Sequence, residues 1–180
     1  DFKDLLQNKP WLILFFLSLF TLLYVFIRNG VALYYFEYFL KRKDLATSFM
    51  VINSVIIIAT LPFVKPLTRI LGKKNLYMIC LILIGITTSA FYFAGPKDIV
   101  LIFALQVIFS IASAPPISLC WAMYADTADY SEWKTGRRAT ALIFSASTFA
   151  QKFGMAVGGA ITTWLLAYYN YKPNVEQPAD

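Results

Sequence analysis

One lysine, Lys152, stands alone in an otherwise uncharged apolar run over residues 139–171. A charge in the middle of a bilayer costs at least ~2.5–3.5 kcal/mol on insertion scales, so such a residue usually faces a cavity or a charged partner. At about 100° per residue, Ser145, Thr148 and Gly159 fall within about 40° of Lys152 on a helix. We therefore predict a polar, open face that binds or couples a ligand. The alternative is a lysine paired with a buried carboxylate for assembly alone.

The opposite face of the same predicted helix carries small residues. Ala150 and Gly154 lie on it, and Ala146 and Gly158 flank them. Small residues let the backbone of a neighbouring helix approach closely in a membrane. The pattern predicts that this face packs against another helix, although a GxxxG pair by itself indicates only ordinary helix packing.

The segment 126–138 segregates its charges by sign. Three acidic residues at a spacing of three precede three basic ones, namely Asp126, Asp129, Glu132, Lys134, Arg137 and Arg138. A loop that only needs to be soluble requires charge but no such order. We expect these groups to pair with charges elsewhere in the molecule, and a merely soluble connector is the alternative.

Arg28 lies near the end of the first apolar run, about 25 Å along a helix from Trp11. It either lines a substrate pathway or extends its guanidinium to the outer interface, and both interpretations stay open. The following Asn29-Gly30 pair is a place where the helix could bend.

Composition places these residues in a membrane. Of the 180 residues, 59% are hydrophobic and 14% are charged, and the mean hydropathy is +0.62. Such a chain is neither disordered nor a water-soluble single core, and its scattered basic residues do not form a nucleic-acid-binding arm. A spanning helix needs roughly 20 apolar residues. We predict an all-α, polytopic membrane helix bundle with five spans, at about 11–39, 45–64, 76–94, 99–125 and 139–171.

Basic residues are more numerous on the side of the predicted bundle that holds the N-terminus. Positive charge favours the cytoplasm, so we place the N-terminus and segment 126–138 inside and the C-terminus outside. The chain has no histidine, and its two cysteines, Cys80 and Cys120, lie in apolar runs. These features argue against a metal site and remove the commonest general base, so we expect no cofactor and no enzyme, with the carboxylates of segment 126–138 as the only acid–base candidates.

The charged segment identifies a resemblance. Its pattern consists of Ala125-Asp126, Asp129-Tyr130, Glu132, Lys134 and Arg138, followed by a helix with one central lysine. The pattern resembles that of the glycoside–pentoside–hexuronide:cation symporters of the major facilitator superfamily, which include the melibiose permease. Further similar stretches are residues 30–36, 62–67 and 148–152. In order and spacing they resemble helices seven to eleven of a twelve-helix transporter. The resemblance covers essentially the whole chain.

That resemblance implies a sugar and a monovalent cation (Na⁺, Li⁺ or H⁺) bound between two six-helix halves. It implies that Lys152 and Thr148 line the sugar and cation region. Ser145 is added to this set because it lies on the same face of the predicted helix. The resemblance also implies that five charged residues close or line the cytoplasmic side. These are Asp126, Asp129, Glu132, Arg138 and Arg69.

The same resemblance implies partners outside this chain. They are an N-terminal half with the cation-binding carboxylates, a last helix and the lipid bilayer, expected to be a bacterial inner membrane. Two other functions remain as alternatives: a major facilitator of another class, such as a drug or peptide exporter, and a polytopic membrane enzyme or subunit without transport activity.

Overall fold

The computed structural model describes residues 2–136, 139–169 and 171, and these residues form helices and no strand. In chain order the helices are α1 (Phe2–Gln7), α2 (Lys9–Tyr34), α3 (Lys43–Leu71), α4 (Lys73–Ala90), α5 (Ile99–Thr135) and α6 (Thr140–Tyr168). A π-helical turn, Tyr35–Phe39, extends α2, and a 3₁₀ turn, Phe91–Phe93, extends α4. The predicted all-α fold class is confirmed.

Four of these helices are long and apolar enough to cross a membrane. They cover Lys9–Phe39, Lys43–Leu71, Lys73–Phe93 and Ile99–Thr135, and they overlap the first four predicted spans, the third of which extends one residue too far, to Ala94. The fifth predicted span forms α6, which is 29 residues long but is not one of the four. Gln151 and Lys152 in its middle lower its hydropathy. That α6 crosses the bilayer stays a prediction.

Residues 126–135 of the charged segment are helical. Helix α5 does not end at Ala125 but continues to Thr135, followed by Gly136 with a positive φ of 70°. A helix satisfies its own backbone hydrogen bonds in water as well as in lipid, so leaving the apolar layer does not by itself end it. The acidic residues therefore have fixed positions along one helix.

Helix α2 begins at a side-chain cap and continues through the Asn29-Gly30 pair. The Oδ1 atom of Asn8 accepts a hydrogen bond from the backbone N–H of Trp11 at 3.1 Å. A Cβ atom on Gly30 would lie 2.9 Å from Cγ2 of Thr162 on α6, so the absence of a side chain there serves a close contact between helices.

The chain divides into two compact units, residues 1–38 with 123–180 and residues 39–122. In the second unit α3 packs on α4, and the ring of Phe49 meets Phe91 and Phe103 edge to face. Ser110 donates a hydrogen bond to Asn53 at 2.8 Å within the same unit. The first unit is built on α2 packed along α6.

A short ion pair marks the start of α3. The guanidinium of Arg42 lies 2.8 Å from the Asp44 carboxylate, and its hydrogen bond to that carboxylate raises the pKa of Arg42 above its already high ordinary value. Both side chains are at least half exposed, so the pair adds little to stability.

Candidate functional site

The predicted small-residue face of α6 packs directly on the backbone of α2. Ala150, Gly154 and Gly158 are buried there. A Cβ atom on Gly154 would collide with the carbonyl oxygen of Leu19, and one on Gly158 would lie 2.6 Å from the carbonyl oxygen of Leu23. The packing prediction is confirmed, and the contact fixes which face of α6 turns away from α2.

The predicted polar face of α6 is the one that turns away. Lys152 and Ser145 are exposed in this chain and Thr148 is partly exposed. The Ser145 hydroxyl donates to Ala141 O at 2.7 Å and the Thr148 hydroxyl to Phe144 O at 2.8 Å. Each hydroxyl uses its proton inside the helix, so its lone pairs are directed outward as acceptors. Beside them the lysine supplies a cationic donor.

Two aromatic rings, absent from the sequence prediction, border this polar face. Phe149 and Phe153 stack at 5.9 Å between ring centroids with 19° between their planes. Both are at least half exposed. Their i, i+4 spacing predicts that they meet on a helix.

The acidic residues of α5 share an exposed surface of the helix. Asp126, Asp129 and Glu132 are exposed, whereas Thr127 and Ala128 between them are buried. Further along, the Lys134 ammonium donates to Gln7 O at 3.3 Å and lies 5.9 Å from the centre of the Tyr130 ring.

The remaining predicted site residues are placed only individually. Arg138 lies outside the described residues. Arg69 is exposed near the end of α3, in the second unit. Arg28 is partly buried in α2, and its two interpretations stay open.

A buried set of polar residues at the start of α2 was missed by the sequence analysis. The indole N–H of Trp11 donates to Ser147 Oγ at 3.1 Å. Asn8 donates from Nδ2 to Thr127 O at 2.9 Å. Helix α2 is thereby hydrogen-bonded both to the acidic part of α5 and to α6. Its one local signal is the Asn-x-Pro start of a helix, which predicts a cap but not the partners.

Cys80 and Cys120 are both buried. Across residues 2–136, 139–169 and 171, no group of three histidine, cysteine, aspartate or glutamate side chains is placed to hold a metal ion. On α6 the exposed polar groups offer hydrogen bonds and a positive charge.

Comparison with known proteins matches the whole chain, residues 1–180, to the family described as MFS/sugar transport protein. The inner membrane symporter YicJ of Escherichia coli is 29% identical over 95% of this chain, and the isoprimeverose transporter of Lactiplantibacillus pentosus is 31% identical over 98%. The glucuronide carrier protein homolog of E. coli is 28% identical over 97%. The chain spans 37% of the first two relatives and 38% of the third.

Proposed function

The chain belongs to the MFS/sugar transport protein family of the major facilitator superfamily, and on that premise we propose that it forms part of a symporter that moves a sugar together with a monovalent cation. The family assignment confirms the resemblance seen in the sequence. The chain is a multi-pass membrane protein, and its relatives are transporters rather than enzymes.

The observation that carries the proposal is the division of α6 into two faces. One face is locked against α2 through glycines, and the other presents Lys152, Thr148 and Ser145. A sugar is rich in hydroxyls, each of which donates and accepts hydrogen bonds. An ammonium donor beside two hydroxyl acceptors is suited to such a ligand, and a rigid supporting helix keeps the groups in place.

The cation enters the proposal through charge. The Lys152 ammonium attracts a carboxylate contributed by the rest of the transporter, and a cation bound at that carboxylate competes with the lysine. Occupancy by Na⁺, Li⁺ or H⁺ then changes the energy of the conformation that Lys152 stabilises. A ligand shifts such an equilibrium only by its differential affinity for the two conformations.

The acidic surface of α5 has a separate part in the proposal. In this proposal each of Asp126, Asp129, Glu132, Arg69 and Arg138 makes charge contacts with the other half of the transporter, and these contacts close the cytoplasmic side and separate when that side opens. The order of charges along α5 supports this assignment, because residues on one exposed helical surface reach a partner together.

The test is transport by the full-length protein, reconstituted in vesicles. Isoprimeverose and a glucuronide are the first sugars to try, because two relatives carry those names. We expect sugar addition to drive uptake of Na⁺, Li⁺ or H⁺, and vesicles without protein to show none. Cation uptake that responds to a drug or a peptide but to no sugar would replace this proposal with the exporter alternative.

A separate experiment addresses location. We propose that the full-length protein resides in a bacterial inner membrane, the location that its relative YicJ carries in its name. Fractionation of the producing cells should recover it with inner-membrane markers, and recovery with the outer membrane would contradict this.

A further inference from the structure

The buried polar residues at the start of α2 form one continuous hydrogen-bonded network. It runs from the carbonyl of Thr127 to the amide of Asn8, from Asn8 to the backbone N–H of Trp11, and from the Trp11 indole to Ser147. We call these four residues the Asn8–Trp11 network. All four are at most 3% exposed.

The direction of every bond in this network is fixed by chemistry. Asn8 faces a carbonyl with one end of its amide and a backbone N–H with the other, so only one amide orientation satisfies both. Ser147 donates its single proton to Ile143 O at 2.7 Å and accepts from Trp11. A fully satisfied buried network permits one arrangement and penalises others, because a buried polar group left without a partner is costly.

The two ends of the network lie next to the two parts of the proposed site. Thr127 directly follows Asp126 on α5 and lies on the buried side of the acidic surface. Ser147 directly precedes Thr148 and lies on the buried face of α6, away from Lys152. A rotation of either helix about its axis would break a bond of the network before it moved the exposed residues far.

We propose that Asn8 and Trp11 are positioning residues for transport, which hold the acidic surface of α5 and the Lys152 face of α6 in one register. Through them a rearrangement at the cytoplasmic charges moves the sugar-facing residues of α6 as well. The inference rests on the proposed function for its meaning in transport, but the register itself is a property of this chain.

Three substitutions in the full-length transporter separate this role from simple packing. Asn8→Ser keeps a good helix cap but is too short to reach Thr127, and Trp11→Phe keeps a ring but loses the N–H donor. Tyr124→Phe is the matched control. Its hydroxyl donates at 2.6 Å to Ser18 in the same buried contact of α2 with α5, but it lies outside the network.

We expect Asn8→Ser and Trp11→Phe each to lower the maximal rate of sugar uptake about fivefold, the scale of one buried hydrogen bond, with KM changed less than about twofold. Tyr124→Phe should keep the maximal rate, even if its thermal stability falls. Ser147→Ala should add nothing to Trp11→Phe, since both remove the same bond. Equal losses in Tyr124→Phe, or additive losses in the double variant, would overturn the proposal.

A second measurement needs no sugar. In full-length protein lacking Cys80 and Cys120, the maleimide labelling rate of a Phe149→Cys variant reports the orientation of α6. Trp11→Phe and Asn8→Ser should change that rate about fivefold and Tyr124→Phe should not. If no sugar is transported, the proposed function fails, but the labelling rates still decide whether the network sets the register of the helices. Unchanged labelling rates in both variants would refute that role of the network.

Discussion

At the scale of single residues, Lys152 shows how position on a helix decides what a charge can do. The lysine is exposed on the face of α6 opposite Gly154, whose own face packs on the backbone at Leu19. The side chain of Lys152 takes no part in the contact between α6 and α2, which lies on the other face of the helix. A change at Lys152 should therefore affect ligand coupling more than folding.

Lys152→Val in the full-length transporter should insert normally and lose sugar-driven cation uptake by about 100-fold or more, the scale of breaking a buried charge pair. Lys152→Arg should rescue poorly, because a planar guanidinium does not replace a compact ammonium. Uptake in vesicles and the amount of protein in the membrane are the two measurements. Lys97→Met, in an exposed loop, is the control, and normal coupling in Lys152→Val would remove Lys152 from the mechanism.

For the acidic surface of α5 we expect a smaller effect of substitution on transport, because its residues are exposed. Asp126→Asn keeps the side-chain shape and removes the charge, so we expect transport to fall about two- to fivefold, the range of exposed charge pairs. Labelling of an introduced cysteine from the cytoplasmic side should become faster at the same time. Asp98→Asn, on the opposite predicted side, should change neither quantity. A lower sugar affinity without any change in labelling would count against a closing role.

At the scale of helices, local pattern predicted faces but not partners. The split of α6 into a packed and a polar face follows from 3.6-residue periodicity, and the structure has it. The extension of α5 to Thr135 was missed because hydropathy reports where a helix leaves the membrane and not where it ends. The bond from Trp11 to Ser147 was unpredictable, since nothing local to either residue identifies the other.

Two adjacent glycines give a sharp test of the contact between α2 and α6. Gly158→Ala places a methyl group against Leu23, whereas a Cβ atom on Gly159 meets nothing within 4 Å. We expect Gly158→Ala to lower the free energy of unfolding by about 1–3 kcal/mol, the usual cost of overpacking. Gly159→Ala should be neutral or slightly stabilising, because alanine favours helix. Unfolding of the full-length protein in detergent measures both, and equal effects would contradict this packing.

At the scale of the whole molecule, composition alone identified a helical membrane protein, and the charged motif identified its family. The sugar and the cation could not be derived from the residues, because the chain spans only 37% of the length of relatives such as the isoprimeverose transporter. In the proposed transporter, a binding site between two halves would take its specificity from both. The orientation in the membrane also remains a prediction from charge.

Cysteine labelling tests that orientation in full-length protein lacking Cys80 and Cys120. A cysteine that replaces Lys73 should react from the cytoplasm, and one that replaces Lys97 should react from outside, because positive loops favour the inside. Impermeant reagents applied to intact cells and to inverted vesicles give the two readings. Reaction of each position from the opposite side would reverse the topology.

The contact of α2 with α6 can form only late in the synthesis of the chain. Trp11 and Ser147 are 136 positions apart, so the ribosome must synthesise the chain past Ser147 before their bond can form. At about 5–20 residues per second, α2 waits roughly 7 to 27 seconds before its partner is synthesised. During that time the backbone along Leu19 and Leu23, which α6 will cover, is open to other helices. Membrane insertases that shield newly synthesised helices would be needed most in that interval.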